Sequence, residues 1–269
     1  MDIFMTYILP FIIFAAIGAA AGALLVVGSK VLAVQVDERV TQITEALPNA
    51  NCGACGYAGC ADYAKAVVSD GAPNNKCKPG GSEAIKKIAE IMGQEALETE
   101  KEVAFIRCNG CESAVEDRYT FIGTPSCKAV ERYYNGKKNC RTGCDGYGDC
   151  AAVCDNDAIS IINGVAVINP SKCVACGKCV KACPNGLIVI HPASQAVEVR
   201  CSSKDPGKVA RTICQNSCIA CKICEKKCPN GAIAVNDNHA SIDYSKCNGC
   251  GACAAACPRK CIITIAQCE

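Results

Sequence analysis

The sequence predicts an α+β protein in which one apolar N-terminal helix precedes several small, cysteine-rich modules. Three observations predict this architecture. Residues 3–27 are almost entirely apolar, cysteine accounts for 27 of the 269 residues, and short strand-like runs bounded by turn residues recur among the cysteines. The chain has no Trp, five Phe and eight Tyr, which is too few for one large aromatic core. Modules with so little core usually depend on metal sites or disulfides for stability.

The apolar segment is long enough to span a bilayer as a helix. A cleaved signal peptide is the alternative, but the residues before the apolar run include Asp2 and no basic residue. Lys30 and Arg39 follow the segment, and the positive-inside rule therefore places the rest of the chain in the cytoplasm. We predict that residues 1–30 form a single transmembrane anchor in the cytoplasmic membrane.

The clearest motif is the run C-x2-C-x2-C-x3-C-P, which occurs twice within residues 214–269. Three cysteines at this spacing surround one corner of a [4Fe–4S] cluster, and in two-cluster ferredoxins the fourth cysteine ligates the other cluster. Zinc is the alternative, but structural zinc sites have no use for the third cysteine. Residues 232–235 and 240–242 flank a polar turn and predict a hairpin between the runs. The two predicted ligand sets are Cys218, Cys221, Cys224 and Cys257, and Cys247, Cys250, Cys253 and Cys228.

Residues 140–190 contain a second, altered pair of runs, which predicts another two-cluster ferredoxin-like domain in tandem with the first. The later run is regular, whereas the earlier one has the spacing C-x3-C-x5-C-x3-C, with Asp155 where proline is expected. Asn163-Gly164 between two apolar runs predicts a hairpin over residues 158–168. The segments CPNGLIVI and CPNGAIAV nearly repeat, which indicates duplication of one module. If the fourth cysteine of each run again ligates the other cluster, which we call the crossing rule, two ligand sets follow. They are Cys140, Cys144, Cys150 and Cys183, and Cys173, Cys176, Cys179 and Cys154.

A different motif, C-x2-C-x4-C-x16-C, lies in residues 31–95. The hydrophobic periodicity predicts helices over residues 33–47, 61–69 and 82–92, so we expect a small helical domain. Four local thiolates can hold one [4Fe–4S] cluster, although zinc stays open because this spacing also suits a single tetrahedral ion. The predicted ligands are Cys52, Cys55, Cys60 and Cys77.

The segments 96–139 and 191–213 are less regular. We expect the first to be a linker, and the second to complete a hairpin formed by residues 187–190 and 196–200 before a polar loop. Together with Cys214 they contain five cysteines without an assigned cluster. One hypothesis is a sixth cluster beyond the five, and the alternative is unliganded structural thiols. The ligands of the sixth cluster would be Cys108, Cys111, Cys127 and either Cys201 or Cys214.

The sequence contains no recognisable catalytic constellation. It shows no dinucleotide-binding glycine motif, no P-loop and no Ser-His-Asp set, so we expect no catalytic residue and no flavin or nicotinamide on this chain. His191 and His239 fall in predicted turns and are expected to be solvated, and neither Cys261 nor Cys268 is expected to be a ligand. An odd number of cysteines at these spacings favours thiolates in a reducing compartment over disulfides.

Charge is unevenly distributed along the chain. Residues 171–269 carry 13 Lys and Arg against 6 Asp and Glu, although the whole chain has a net charge of only +2. This excess suits either an acidic redox partner or the negative charge of thiolate-ligated clusters. We expect no nucleic-acid partner.

The order of these features resembles the B subunit of the Rnf ion-translocating ferredoxin:NAD+ oxidoreductase. The anchor, the segment NCGACGYAGCADYAKAV with Cys77-Lys-Pro-Gly-Gly, and the ferredoxin modules carry the resemblance over essentially the whole chain. The doubled module, with CRTGCDGYGDC and CSSKDPGK, is similar to the longer form of this subunit in anaerobes.

The resemblance implies a relay that receives electrons from reduced soluble ferredoxin and feeds flavin- and iron–sulfur-carrying subunits of a membrane complex. That complex would couple the electron flow to sodium or proton export. Two other readings stay open, a redox-sensing iron–sulfur protein and a polyferredoxin subunit of another membrane redox complex.

Overall fold

The computed structural model describes residues 7, 9–31 and 37–264 of the chain. Helix α1 (Leu9–Val31) contains an 18-residue stretch with a mean hydropathy of 2.5, none of which is buried. At 1.5 Å per residue this helix is about 35 Å long, which is enough to cross the apolar part of a bilayer. The N-terminal helix therefore has the length and composition predicted for an anchor.

Three helices form the domain that follows, and they are α2 (Glu38–Ala46), α3 (Cys60–Ser69) and α4 (Gly81–Met92). The predicted helices over 61–69 and 82–92 are confirmed, and the start of the one predicted over 33–47 lies outside the described residues. Ile43, Tyr63 and Ile88 are each no more than 1% exposed and pack in one core. Helix α4 ends at Gly93, whose φ of 65° is readily adopted by glycine.

The rest of the described chain consists of two repeats with the same order of elements. The first contains β1 (Glu102–Ile106), α5 (Cys127–Tyr134), α6 (Asp149–Ala152), β2 (Ile159–Ile162), β3 (Val165–Ile168), α7 (Lys178–Ala182) and β4 (Ile188–Pro192). The second contains β5 (Val197–Val199), α8 (Gly207–Ile213), α9 (Ile223–Lys227), β6 (Ile233–Asn236), β7 (His239–Ile242), α10 (Ala252–Ala255) and β8 (Ile262–Thr264). Each repeat has its own hydrophobic core, in which cysteines are numerous. The duplication suggested by the sequence therefore extends over the whole repeat.

The two hairpins predicted inside the repeats are confirmed. Strands β2 and β3 pair antiparallel, as do β6 and β7. The first turn has Asn163 and Gly164 at φ 49° and 72°, and the second has Asp237 and Asn238 at 48° and 60°. A two-residue turn of type I′ matches the twist of the strands that it joins, and it requires positive φ at both central residues.

The third predicted hairpin, between residues 187–190 and 196–200, does not form. Strand β4 pairs with β1, and β5 pairs with β8, so each of these strands closes its own repeat. The cause is burial, because Val103, Phe105 and Ile106 of β1 are at most 7% exposed and need an apolar partner. Residues 96–139 are therefore more than a linker, since their first strand is part of the first repeat.

Candidate metal centres

The described cysteines converge in groups of four around small voids. Four such voids span about 310, 320, 340 and 360 Å³, counted together with the open solvent at their mouths. Within the described residues, no three Cys, His, Asp or Glu side chains lie close enough together to hold a single metal ion. Zinc needs its sulfur ligands about 2.3 Å from one centre, so these wider groups fit a [4Fe–4S] cluster better than zinc.

The first void, of about 320 Å³, lies in the helical domain. It is lined by Cys52, Cys55, Cys60 and Cys77, as predicted for that cluster. The side-chain oxygen of Asn51 accepts a hydrogen bond from the amide of Cys60 at 2.9 Å. A Cβ at Gly59 would lie 2.9 Å from the same oxygen, so a larger residue there would push the Asn51 side chain away from the amide of Cys60.

The second void, of about 360 Å³, lies in the first repeat. It is lined by Cys154, Cys173, Cys176 and Cys179, which is the set that the crossing rule predicts. The amide of Ala104 in β1 donates to Cys173 Sγ at 3.3 Å. Asp155, which replaces the expected proline, forms an ion pair with Lys178 on α7. The ion pair between Asp155 and Lys178 therefore takes the position that the proline turn has in the other runs.

The third void, of about 310 Å³, lies in the second repeat. It is lined by Cys218, Cys221, Cys224 and Cys257, again the predicted set, and also by Cys261. The sulfur of Cys261 lies 3.6 Å from that of Cys257, and this hydrogen bond lowers the pKa of Cys257 to about 5. Cys268 lies outside the described residues.

Four further cysteines of the second repeat, Cys228, Cys247, Cys250 and Cys253, line none of the four voids. The sulfurs of Cys228 and Cys247 are within electrostatic range of Cys253, and Cys250 is exposed in the same loop. The structure thus brings together three of the four cysteines predicted for this set, Cys228, Cys247 and Cys253.

One backbone contact recurs at the fourth cysteine of these runs. The amide of the residue four positions later donates to its sulfur, and in this contact a backbone dipole stabilises a ligating thiolate. The contacts are Ala158 to Cys154 at 3.4 Å, Leu187 to Cys183 at 3.4 Å, and Ala232 to Cys228 at 3.3 Å.

Around Cys150 the structure differs from the predicted ligand set. Burial, and then the neighbouring sulfurs of Cys144, Cys127 and Cys183, raise the pKa of Cys150 to about 12. Cys127, predicted for a sixth cluster, is one of these neighbours, whereas Cys140, predicted for this set, lines a different void. Cys127 is held at the start of α5 because its amide donates to the Asp149 carboxylate at 3.0 Å.

The fourth void, of about 340 Å³, lies between the two repeats. It is lined by Cys108, Cys140, Cys201 and Cys214. Cys111, predicted as a ligand of a sixth cluster, does not line it and instead has its sulfur 3.2 Å from Ser113 Oγ. The structure therefore brings together three of the cysteines considered for a sixth site, and joins them with Cys140 instead of Cys111 and Cys127.

Lys138, which lies in no recognisable sequence motif, also lines this void. It is 1% exposed, and its Nζ donates to the carbonyl oxygens of Gly110 and Gly164 at 2.8 Å each. No carboxylate in the described part of the chain forms an ion pair with it. Lys137 next to it is also a lysine, so the sequence alone carries no signal that distinguishes the two.

The prediction that both histidines are solvated is wrong. His191 lies in β4, is 6% exposed, and has its Nε2 2.8 Å from Glu198 Oε1. His239 is partly buried, with Nε2 2.6 Å from the carbonyl oxygen of Cys201, and burial lowers its pKa. His191 is covered by the ring of Phe105 in β1, by Glu198 in β5 and by the ring of Tyr244.

Three protein-family models match separate parts of the chain. They describe an Fe-S cluster family over residues 47–79, a 4Fe-4S binding domain over residues 166–189, and a 4Fe-4S dicluster domain over residues 217–261. Each matched segment contributes cysteines to a different one of the first three voids.

Curated proteins are similar over nearly the whole chain. The B subunit of the Na(+)-translocating ferredoxin:NAD(+) oxidoreductase complex of Acetobacterium woodii is 43% identical over 95% of this chain and 77% of its own length. The B subunit of the ion-translocating oxidoreductase complex of Methanosarcina acetivorans is 43% identical, over 93% of this chain and 95% of its own length. The B subunit of the proton-translocating ferredoxin:NAD(+) oxidoreductase complex of Clostridium ljungdahlii is 37% identical, over 94% and 90%.

Proposed function

We propose that this chain, which belongs to the B-subunit family of Rnf-type ion-translocating ferredoxin:NAD+ oxidoreductase complexes, relays electrons from reduced ferredoxin to membrane partners that carry flavins and iron–sulfur centres. The observation that carries the proposal is the series of four-cysteine voids along the chain. [4Fe–4S] clusters bound there supply one-electron chemistry. One relative is named for sodium and another for protons, and we propose that the complex exports one of these two ions.

We propose five clusters in the helical domain and the two repeats, with one change from the ligand sets read from the sequence. Cys127 replaces Cys140, because Cys127 is the cysteine grouped with Cys144, Cys150 and Cys183. The proposed sets are Cys52, Cys55, Cys60 and Cys77; Cys154, Cys173, Cys176 and Cys179; Cys127, Cys144, Cys150 and Cys183; Cys218, Cys221, Cys224 and Cys257; and Cys228, Cys247, Cys250 and Cys253.

This change gives a direct test. Cys127→Ser should remove about four iron atoms per anaerobically purified chain, since one cluster loses a ligand. Cys111→Ser is the matched control and should keep all its iron, because its sulfur contacts Ser113 Oγ and is not one of the sulfurs grouped around Cys150. Iron and sulfide quantitation checks both variants, and equal iron in Cys127→Ser and the parent chain would contradict the assignment.

We propose that α1 anchors the protein in the cytoplasmic membrane, with the iron–sulfur modules on the cytoplasmic side. The basic residues Lys30 and Arg39 that follow the apolar stretch support this orientation. Soluble ferredoxin is a cytoplasmic donor, so it meets the modules only in this orientation.

The arrangement of the sites supports an order for electron flow. Lys178 lies within electrostatic range of both Cys176 and Cys52, so the site of the helical domain neighbours the first repeat. The helical domain directly follows the anchor, and we therefore propose that electrons leave the chain there. The second repeat is the proposed entry, because Cys221 and Cys250 are the two exposed cysteines in the described part of the chain.

A basic patch supports entry at Cys221. The patch consists of Lys222, Lys226 and Lys227, all exposed and all within six residues of Cys221 along the chain. An acidic electron-transfer protein such as ferredoxin would be steered towards such a patch, and electrostatic steering changes association rates by roughly 10 to 1,000-fold.

The test is stopped-flow reduction of the full-length protein by reduced ferredoxin without oxygen. The triple variant Lys222→Glu, Lys226→Glu and Lys227→Glu should slow the bimolecular reduction by about tenfold at low ionic strength, with the difference shrinking as salt screens the charges. Lys86→Glu on the exposed side of α4 is the control and should leave the rate unchanged. Equal rates for the triple variant and the parent chain would argue against this docking site, and no reduction of the parent chain would argue against the donor.

A further inference from the structure

Two cysteines from each repeat meet at the junction of the repeats, in a void that no matched family model accounts for. The geometry points to a further [4Fe–4S] cluster at this junction, which passes single electrons from the second repeat to the first. The inference rests on the relay function proposed above. The four ligands are Cys108, Cys140, Cys201 and Cys214.

The four cysteines occupy equivalent places in the two repeats. Cys108 and Cys201 each follow an arginine just after the first strand of their repeat, β1 or β5. Cys140 stands four residues before Cys144, and Cys214 stands four residues before Cys218. Each repeat therefore contributes the same pair of cysteines to one shared site.

The hydrogen bonds around these sulfurs repeat as well. The amide of Cys144 donates to Cys108 Sγ at 3.3 Å, and the amide of Cys218 donates to Cys201 Sγ at 3.3 Å. A second amide, two residues after the cysteine, donates to each sulfur, from Gly110 at 3.4 Å and from Ser203. Backbone amides that donate to sulfur stabilise cluster thiolates. Because both contacts recur, the two repeats contribute equivalent halves to one site.

The void fits a cluster in size and surroundings. Counted in the same way, with the open solvent at the mouth, its volume of about 340 Å³ lies within the 310–360 Å³ range of the three voids in the domain and the repeats. Gly110 lies against it, where a Cβ would be 3.6 Å from the sulfurs of both Cys108 and Cys214. Lys138 lies at its wall, and a buried cation offsets the net negative charge of a cluster with four thiolates.

The position explains what the site does. Three residues separate Cys140 from Cys144, which belongs to the proposed cluster with Cys127, and three separate Cys214 from Cys218 in the second repeat. A cluster at the junction therefore adjoins one cluster of each repeat. It accepts one electron as its neighbour in the second repeat is oxidised by one, and it returns to its starting state when that electron passes to the first repeat.

The test measures iron, sulfide and zinc in the full-length chain, purified without oxygen in detergent. Cys108→Ser and Cys214→Ser change one ligand in each repeat, and each should lose about four iron atoms per chain. The double variant should lose the same four and not eight, because both residues serve one site. Cys111→Ser is the matched control and should lose none. Circular dichroism checks that each variant is folded, and Cys140→Ser and Cys201→Ser replace a variant that fails this check.

Electron transfer gives a second readout. With reduced ferredoxin, rapid-freeze EPR of Cys214→Ser should show clusters of the second repeat reduced at the parental rate and those of the first repeat at least tenfold more slowly. Unchanged iron in the single variants, zinc in place of iron, or additive losses in the double variant would each overturn the inference. If the relay itself were wrong, the parent chain would still carry the junction iron but would not be reduced by ferredoxin.

Discussion

Replacing Gly146 with alanine is expected to remove about four iron atoms per chain and to lower the midpoint of thermal unfolding. Gly146 lies between Cys144 and Cys150, in the loop that presents both sulfurs. Its φ is +76°, and a Cβ there would lie 2.5 Å from the carbonyl oxygen of Gly164. That oxygen belongs to backbone in the β2–β3 turn, so the clash cannot be relieved by rotating a side chain.

Two costs add at this position. An L-residue at positive φ costs about 1–2 kcal/mol, and overpacking against backbone costs about 1–3 kcal/mol more. Gly164 O also accepts a hydrogen bond from Lys138 at 2.8 Å, so displacing it weakens a second buried contact. We therefore expect a loss of about 2–5 kcal/mol in stability, together with displacement of the loop that carries the cysteines.

Gly186→Ala is the matched control for the Gly146 variant. Gly186 also has positive φ, at 60°, but a Cβ there would meet nothing within 4 Å. This variant should show the conformational cost alone and keep its full iron content. Thermal unfolding of the anaerobic proteins and iron quantitation compare the two, and identical behaviour would show that the contact with Gly164 does not hold the cysteine loop in place.

Local signals were enough to predict two of the three hairpins and three of the cysteine groups that line voids. Asn163-Gly164 specifies a tight turn by itself, because both residues tolerate the positive φ that it needs. Two of the regular runs place three cysteines within a few residues of each other, and the three cysteines of each run line one void. In these cases the information lies in short spacings, where chain geometry leaves few alternatives.

The long-range pairing of strands could not be predicted from the sequence. Strands β4 and β5 are neighbours in sequence, and the local pattern predicts that they pair as a hairpin. Their actual partners, β1 and β8, lie about 60 to 90 residues away along the chain. The proposed grouping of Cys127 with Cys144 and Cys150 could not be predicted for the same reason, since Cys127 lies outside any motif. Such contacts depend on which apolar faces are buried together, and no local spacing encodes that.

One signal in the sequence does reach across the chain. The pairs Arg107-Cys108 and Arg200-Cys201, together with C-x3-C at Cys140 and again at Cys214, show that the duplication extends beyond the ferredoxin runs. Aligning the two repeats on these positions separates Cys140 from the run that follows it. Internal repetition thus carries the long-range information that single motifs lack.

Replacing Lys138 with methionine is expected to make the reduction potentials of the adjacent clusters more negative. The ammonium lies within electrostatic range of both Cys108 and Cys144, which belong to two different proposed clusters. A buried positive charge stabilises the reduced, more negative state of a cluster, so its removal favours oxidation. The variant should also lose stability, because the carbonyls of Gly110 and Gly164 each lose a donor, at a cost of about 1–3 kcal/mol per group.

EPR-monitored redox titration separates the electrostatic effect from the structural one. Lys137→Met is the control, since that side chain pairs with Asp117 at 3.0 Å instead of facing the void, and its potentials should match those of the parent chain. Lys138→Gln removes the charge but keeps an N–H donor, so it should regain part of the stability while its potentials stay shifted. If the potentials of Lys138→Met were unchanged and only its stability fell, Lys138 would support the fold without tuning the clusters.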